Sequence, residues 1–275
     1  MTVDPAWVIP AAGQAFKNRQ DIASGWSRLL ALLLGKKSQL VVTGMAGSGK
    51  TVLLDHLSGV AFSPEYEPPE GKSPEVDRKK LRRPGQRLGF AVIPGQEDGP
   101  NRLLGFDELF LGKKPVAGVI HVVCFGYNET RGEFAKEALE EIDLQTLRER
   151  RLKQELEDLR ATCAVIRSSW TRFRVPLWML VVVNKVDLYE DKLDEARRRY
   201  SERSEGEFVE TIQELRENIG KDNFGWQAIP GCSWLESFRW GDQVVETKLV
   251  PSQRNQLLKG IEDAAISRCE RARLR

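Results

Sequence analysis

Leu177-Trp178-Met179-Leu180-Val181-Val182-Val183 is apolar at every position. Such a run suits a strand buried on both faces of a parallel sheet rather than one with a solvated side. Leu40-Val41-Val42, Leu88-Gly89-Phe90-Ala91-Val92-Ile93 and Val116 to Phe125 share the pattern. Elsewhere the spacing turns helical. Val52 to Leu57, Tyr189 to Arg199, Phe208 to Ile219 (through Val209, Ile212, Leu215 and Ile219) and Leu257 to Ile266 predict helices, with Phe224 to Pro230 as a last strand. Strands and helices alternate, which predicts an α/β body with a mostly parallel sheet.

Three segments exceed what that alternation requires. Arg19 to Leu34 predicts a leading helix ending at Gly35-Lys36-Lys37, and its Leu29 to Leu34 run is far short of the ~20 apolar residues that span a bilayer. Thr130 to Trp170 is rich in charged helix formers, with Leu152, Leu156 and Leu159 at helical spacing. One continuous helix there would approach ~60 Å, so a bend near Asp143-Leu144-Gln145 or a helical hairpin is expected. Its leucine stripe is expected either to pack partly on the domain and partly on a partner protein or a second copy of the chain, or to be buried completely within the chain. Phe238 to Leu249 predicts a short excursion before the last helix, and Arg268 to Arg275 a frayed basic tail.

A formal net charge of only +2 on 275 residues gives no overall nucleic-acid surface. The basic run Arg78-Lys79-Lys80-Leu81-Arg82-Arg83 reads as edge-strand protection or as a contact for an acidic protein, a phospholipid headgroup or nucleic acid. Nucleic acid is disfavoured, since no stacking aromatics interleave it. A membrane-surface helix is a minor alternative for Arg19 to Leu34. The four cysteines are scattered without a Cys-x-x-Cys pair, which fits reduced thiols and a cytoplasmic setting. His121, set between Val119-Ile120 and Val122-Val123, reads as a satisfied core histidine.

Chemistry concentrates at two places. Gly44-Met45-Ala46-Gly47-Ser48-Gly49-Lys50-Thr51 lies between a strand and a helix start, the context of a phosphate-binding loop. Its glycines free the backbone to aim N–H groups at phosphate oxygens, and the helix N-terminus adds its dipole. Lys50 is expected to face solvent and reach the β- and γ-phosphates, while Thr51 binds Mg2+ through its hydroxyl. The second place is Asn184-Lys185-Val186-Asp187, at the carboxyl end of the Leu177 to Val183 strand, where open α/β sheets bind ligands. A carboxylate there can accept from the N1–H and 2-amino group of guanine, so Asp187 is the expected base reader.

On these two motifs the chain resembles the P-loop GTPases, in the Ras-like and translation-factor-related class, over roughly residues 38–270. The resemblance implies a three-layer P-loop NTPase fold: a mostly parallel sheet with an antiparallel edge strand and helical insertions near 127–172 and 188–222. Residues 1–37 then form an extension, and 271–275 a tail. It implies that Asn184 braces the base loop and Lys185 lies along the ring. Gly231-Cys232-Ser233 resembles the loop contacting the guanine oxygen, bringing Cys232 and Ser233 into the site. Pro94-Gly95-Gln96 resembles the end of the second switch, with Gly95 offering an N–H to the γ-phosphate and Gln96 orienting the attacking water. Two departures stand out. Val92 occupies the place of an aspartate that steadies the Mg2+ shell, leaving Asp98 as a weak substitute. The stretch where a first switch belongs lacks a threonine, leaving Ser73 as a weak metal ligand. Arg83 and Arg131 are loop candidates for a catalytic arginine. The implied function is a GTP- and GDP-binding switch or assembly module with Mg2+, hydrolysing GTP slowly. A hydrolysis-deficient GTP-binding scaffold is the alternative; an ATP-using kinase or ATPase would need another account of Asn184 to Asp187.

Overall fold

The computed structural model describes residues 7–11, 39–63, 65–69, 77–83, 86–93, 100–129 and 142–273. The expected leading helix, Ser73, Arg131 and the Pro94-to-Asp98 segment with Gly95 and Gln96 lie outside them.

The apolar runs become the strands β1 (Gln39–Gly44), β3 (Gln86–Val92), β4 (Val116–Val123) and β5 (Leu177–Val183), joined by β2 (Asp77–Arg83) and β6 (Phe224–Pro230). They form one sheet in the order β2-β3-β1-β4-β5-β6, parallel throughout except for the antiparallel edge pair β2 and β3. The helices are α1 (Lys50–Leu57), α2 (Pro100–Phe110), α3 (Leu144–Phe173), α4 (Leu193–Tyr200), α5 (Glu207–Ile219) and α6 (Pro251–Arg273). A small hairpin, β7 (Phe238–Trp240) and β8 (Gln243–Val245), precedes α6.

Alternation along β5 explains the three layers. Met179, Val181 and Val183 enter one core with α3 and α5, through Leu159, Ile166 and Ile212. Trp178, Leu180 and Val182 enter the other, with Leu53 and Leu54 of α1 and Leu258 and Ile261 of α6. Because both faces are covered, a wholly apolar strand is the stable solution.

From Leu144 on, the charged insertion is a single helix that begins where the bend was expected; its residues 130–141 lie outside the described ones. Asp143 caps α3, accepting from the backbone N–H groups of Gln145 and Thr146 at 2.9 and 3.0 Å, a side-chain solution for donors that have no intrahelical partner. At 30 residues the helix is ~45 Å long. Its stripe turns inward: Leu159 is fully buried, Leu156 nearly so, and Leu152 is packed against the same core. Burial of Leu156 and Leu159 within the chain removes their apolar surface from water without a partner, while Leu152 keeps part of its surface open. The expected fraying after Arg268 is corrected. Helix α6 runs on to Arg273, and Arg268 Nη2 donates to Trp226 O at 2.7 Å.

Candidate functional site

The turn between β1 and α1 needs backbone that only glycine supplies without strain. Gly44, Gly47 and Gly49 have φ of 130°, 71° and 87°. A Cβ on Gly44 would fall 2.2 Å from Val122 O, and one on Gly49 2.5 Å from Asn184 Nδ2. Ala46, Gly47, Gly49 and Thr51 remain partly exposed around this cradle, and Ser48 Oγ is buried without a partner. Lys50 departs from expectation. It is only 7% exposed, because its ammonium donates to Gly44 O at 2.8 Å and Met45 O at 2.6 Å. The lysine thus braces the loop from within, while remaining at the cradle.

At the end of β5, three segments distant in sequence meet on Asn184. Its Nδ2 donates to Ser48 O at 2.8 Å and to Ser233 Oγ at 2.9 Å, while its Oδ1 accepts from the Ser233 N–H at 2.8 Å. The phosphate loop, the tetrapeptide and the Gly231-Cys232-Ser233 loop are thereby one unit. Lys185 adopts a left-handed φ of 62° and pairs with Glu129 at 2.6 Å, near the Phe238 ring. Asp187 is fully buried, with Cys232 Sγ 3.3 Å from its Oδ1. Burial raises its pKa, opposed by the neighbouring Thr247 hydroxyl and the Cys232 thiol. Its Oδ2 has no partner in full hydrogen-bond geometry.

Other participants were not foreseen. Glu155 of α3 accepts from the Cys124 and Gly126 N–H groups at 2.9 and 3.2 Å and from the Tyr200 hydroxyl at 2.5 Å. It holds the turn through Phe125 (φ 52°) and Gly126 (φ 82°) that carries Glu129 up to Gly47 and Lys185. The available signal was an acid sitting within the leucine stripe. His56 of α1 lies against Phe62, Tyr66 and Trp234, joining the cradle helix to the base loop. Burial lowers its pKa to about 3, so the ring is neutral. His121 fulfils its core reading: Nδ1 is 2.9 Å from Thr43 Oγ1, Nε2 is 3.8 Å from Asp158, and burial holds its pKa at about 4.

The donor set suits a nucleotide better than a metal ion alone. The glycine cradle, the Lys50 ammonium, the orphaned Ser48 Oγ and the Asp187 carboxylate match phosphate and base groups. For Mg2+, Thr51 stands at the start of α1, whereas Val92 is 2% exposed within the apolar α1–α6 core and offers no oxygen. Among the described residues no cluster of three His, Cys, Asp or Glu side chains could hold a metal.

No protein-family model and no curated protein matches the sequence. Among solved structures, the chain is similar to a dimerization-deficient mutant of Toc33 from Arabidopsis thaliana. The match has 12% identity and a TM-score of 0.39, covering 88% of this chain and 92% of that one. It is also similar to an ADP-ribosylation-factor-like GTP-binding protein, the small COPII coat GTPase SAR1 from Encephalitozoon cuniculi, in complex with GDP. There the identity is 13% and the TM-score 0.36, over 90% of this chain and 88% of that one.

Proposed function

We propose that this chain is a P-loop GTPase, a guanine-nucleotide switch or assembly module that binds GTP and GDP with Mg2+ and hydrolyses GTP slowly. The observation that carries the reading is the Asn184 side chain, which ties the phosphate loop to the loop beside the base-reading Asp187. A phosphate cradle and a guanine-matching carboxylate held at a common hinge suit one ligand with both chemistries.

Bound Mg2+ would neutralise phosphate charge, with Thr51 as its protein ligand. Lys50 and the loop N–H groups would stabilise charge developing on the γ-phosphate oxygens. Asp187, ionised, would accept from the base. Gln96 is proposed to orient the water and Gly95 to contact the γ-phosphate, on the resemblance alone. Val92 favours a second reading, a GTP-binding scaffold with little hydrolysis, because an apolar side chain cannot steady metal-bound water. Four buried free cysteines support a reducing, cytoplasmic setting. A partner or second copy would dock away from Leu156 and Leu159, the buried part of the α3 stripe.

Calorimetric titration with GTP, GDP and ATP in Mg2+, alongside single-turnover hydrolysis, tests the reading. Tight guanine binding with slow turnover is expected; equal affinity for ATP and GTP would sink the base assignment. Binding without turnover would select the scaffold.

A further inference from the structure

The base end of the site is shut. Asp187 has no exposed surface, although a group that reads a base must meet it edge-on. The cover comes from the residues that follow the β7–β8 hairpin. The Lys248 N–H donates to Asp187 O at 3.0 Å, and Lys248 Nζ pairs with Asp191 at 2.7 Å. These two ties set Thr247 beside the Asp187 carboxylate. Asp187 Oδ2 and Thr247 Oγ1 are both buried, and the hydroxyl faces the carboxylate in the place where guanine would supply donors.

The segment is buried at its ends and exposed between them. Phe238 is buried, edge-on to Tyr127 at 5.5 Å and 6.0 Å from Lys185 Nζ, and Leu249 is buried in the same core. Between these anchors Gly241, Asp242, Gln243 and Val244 are exposed, and Gly241 has a φ of 53° that accommodates the turn. The Ser237 hydroxyl, bonded to Glu246 at 2.5 Å and accepting from the Thr247 N–H at 3.4 Å, is the cross-tie.

We propose that the segment from Phe238 to Leu249 is an autoinhibitory strap that closes over the Asp187 carboxylate and lifts for a guanine nucleotide to reach it. The inference rests on the guanine reading of that carboxylate. Entry then waits on strap opening, so association at high ligand concentration is limited by that step. Apparent affinity is lowered by the fraction of molecules that are open.

Two measurements test it. In the unaltered chain, hydrogen–deuterium exchange with and without GDP should show the Lys248 amide losing protection as the Asn184-to-Asp187 segment gains it. Stopped-flow mixing with a fluorescent GDP analogue should give a rate that saturates with concentration. Phe238→Ala should raise association by about tenfold, leave dissociation unchanged and so tighten apparent affinity by about tenfold, the effect expected if the strap is open in roughly a tenth of molecules. If GDP binds while Lys248 stays protected, or if a folded Phe238→Ala protein keeps the original rates, the strap is overturned and the guanine reading stands. If neither protein binds GDP, the guanine reading fails and the strap falls with it. Should Phe238→Ala fail to fold, the exchange measurement on the unaltered chain decides.

Discussion

At the phosphate end Ala46, Gly47, Gly49 and Thr51 keep part of their surface open, whereas at the base end Asn184 and Asp187 are completely buried. The cradle is made of consecutive residues whose backbone N–H groups would, on the proposed reading, do the recognising, so it needs little from the rest of the chain beyond a strand before it and a helix after. The base end is made of side chains from segments distant in sequence, each needing partners once buried. A local site can stand open while remaining formed. A composite one is held together by the same contacts that shield it.

The comparison breaks hardest at Lys50. Lys50→Ala should lower GTP affinity on the order of 1000-fold, from loss of the charge-assisted phosphate contact. Because the ammonium also satisfies Gly44 O and Met45 O, the variant should in addition lose about 1–3 kcal/mol of stability. Nucleotide titration together with thermal melts separates these effects; an unchanged melt would return the lysine to a purely ligand-facing role.

Val92→Asp probes whether the cradle can be refitted with the missing carboxylate. Its burial among Leu53, Leu54 and Val42 predicts a loss of roughly 3 kcal/mol rather than a gain in Mg2+ affinity. A folded variant with a lower Mg2+ midpoint for GTP binding would show that the strand end can turn the side chain toward the metal.

At the base end, Asp187→Asn should weaken GDP binding by roughly tenfold to a hundredfold and shift preference to xanthine nucleotides, by reversing the donor and acceptor pattern. The raised pKa of Asp187 adds a sign to the pH dependence. Guanine binding needs the ionised carboxylate, so affinity should fall on acidification at a pH above that of an ordinary aspartate. Calorimetry across acidic pH, on the unaltered chain and the Asn variant, checks this; identical pH profiles would remove Asp187 from the contact.

The smallest effect lies where the two ends meet. His56, on the cradle helix, packs against Trp234 with a pKa lowered from 6.5 to about 3, and His121 beneath the cradle is lowered from 6.5 to about 4. Between those values the unfolded chain binds protons that the folded chain refuses. Stability is therefore fully present above pH 6.5 and declines as the pH falls toward about 4. Thermal melts at successive pH values should show this slope, and replacing His56 with phenylalanine should flatten part of it.

Much of this architecture could be read before any coordinates. The β5 run was apolar throughout because both sheet faces are covered, and the glycine loop between strand and helix needed only neighbouring residues to form. The double burial of β5, the start of α1 at Lys50 and the beginning of α3 after Asp143 all follow from local pattern and capping chemistry. What depended on partners distant in the chain could not be read the same way. The inward turn of Lys50, the burial of Leu156 and Leu159, the support from Glu155 and the covering of Asp187 by the segment around Thr247 each require knowing which surfaces meet. Sequence determined the elements and the chemical groups at their ends, because short-range backbone and side-chain preferences are local. Only the tertiary structure decided which of those groups are open to a ligand, because burial is a property of the surfaces packed together.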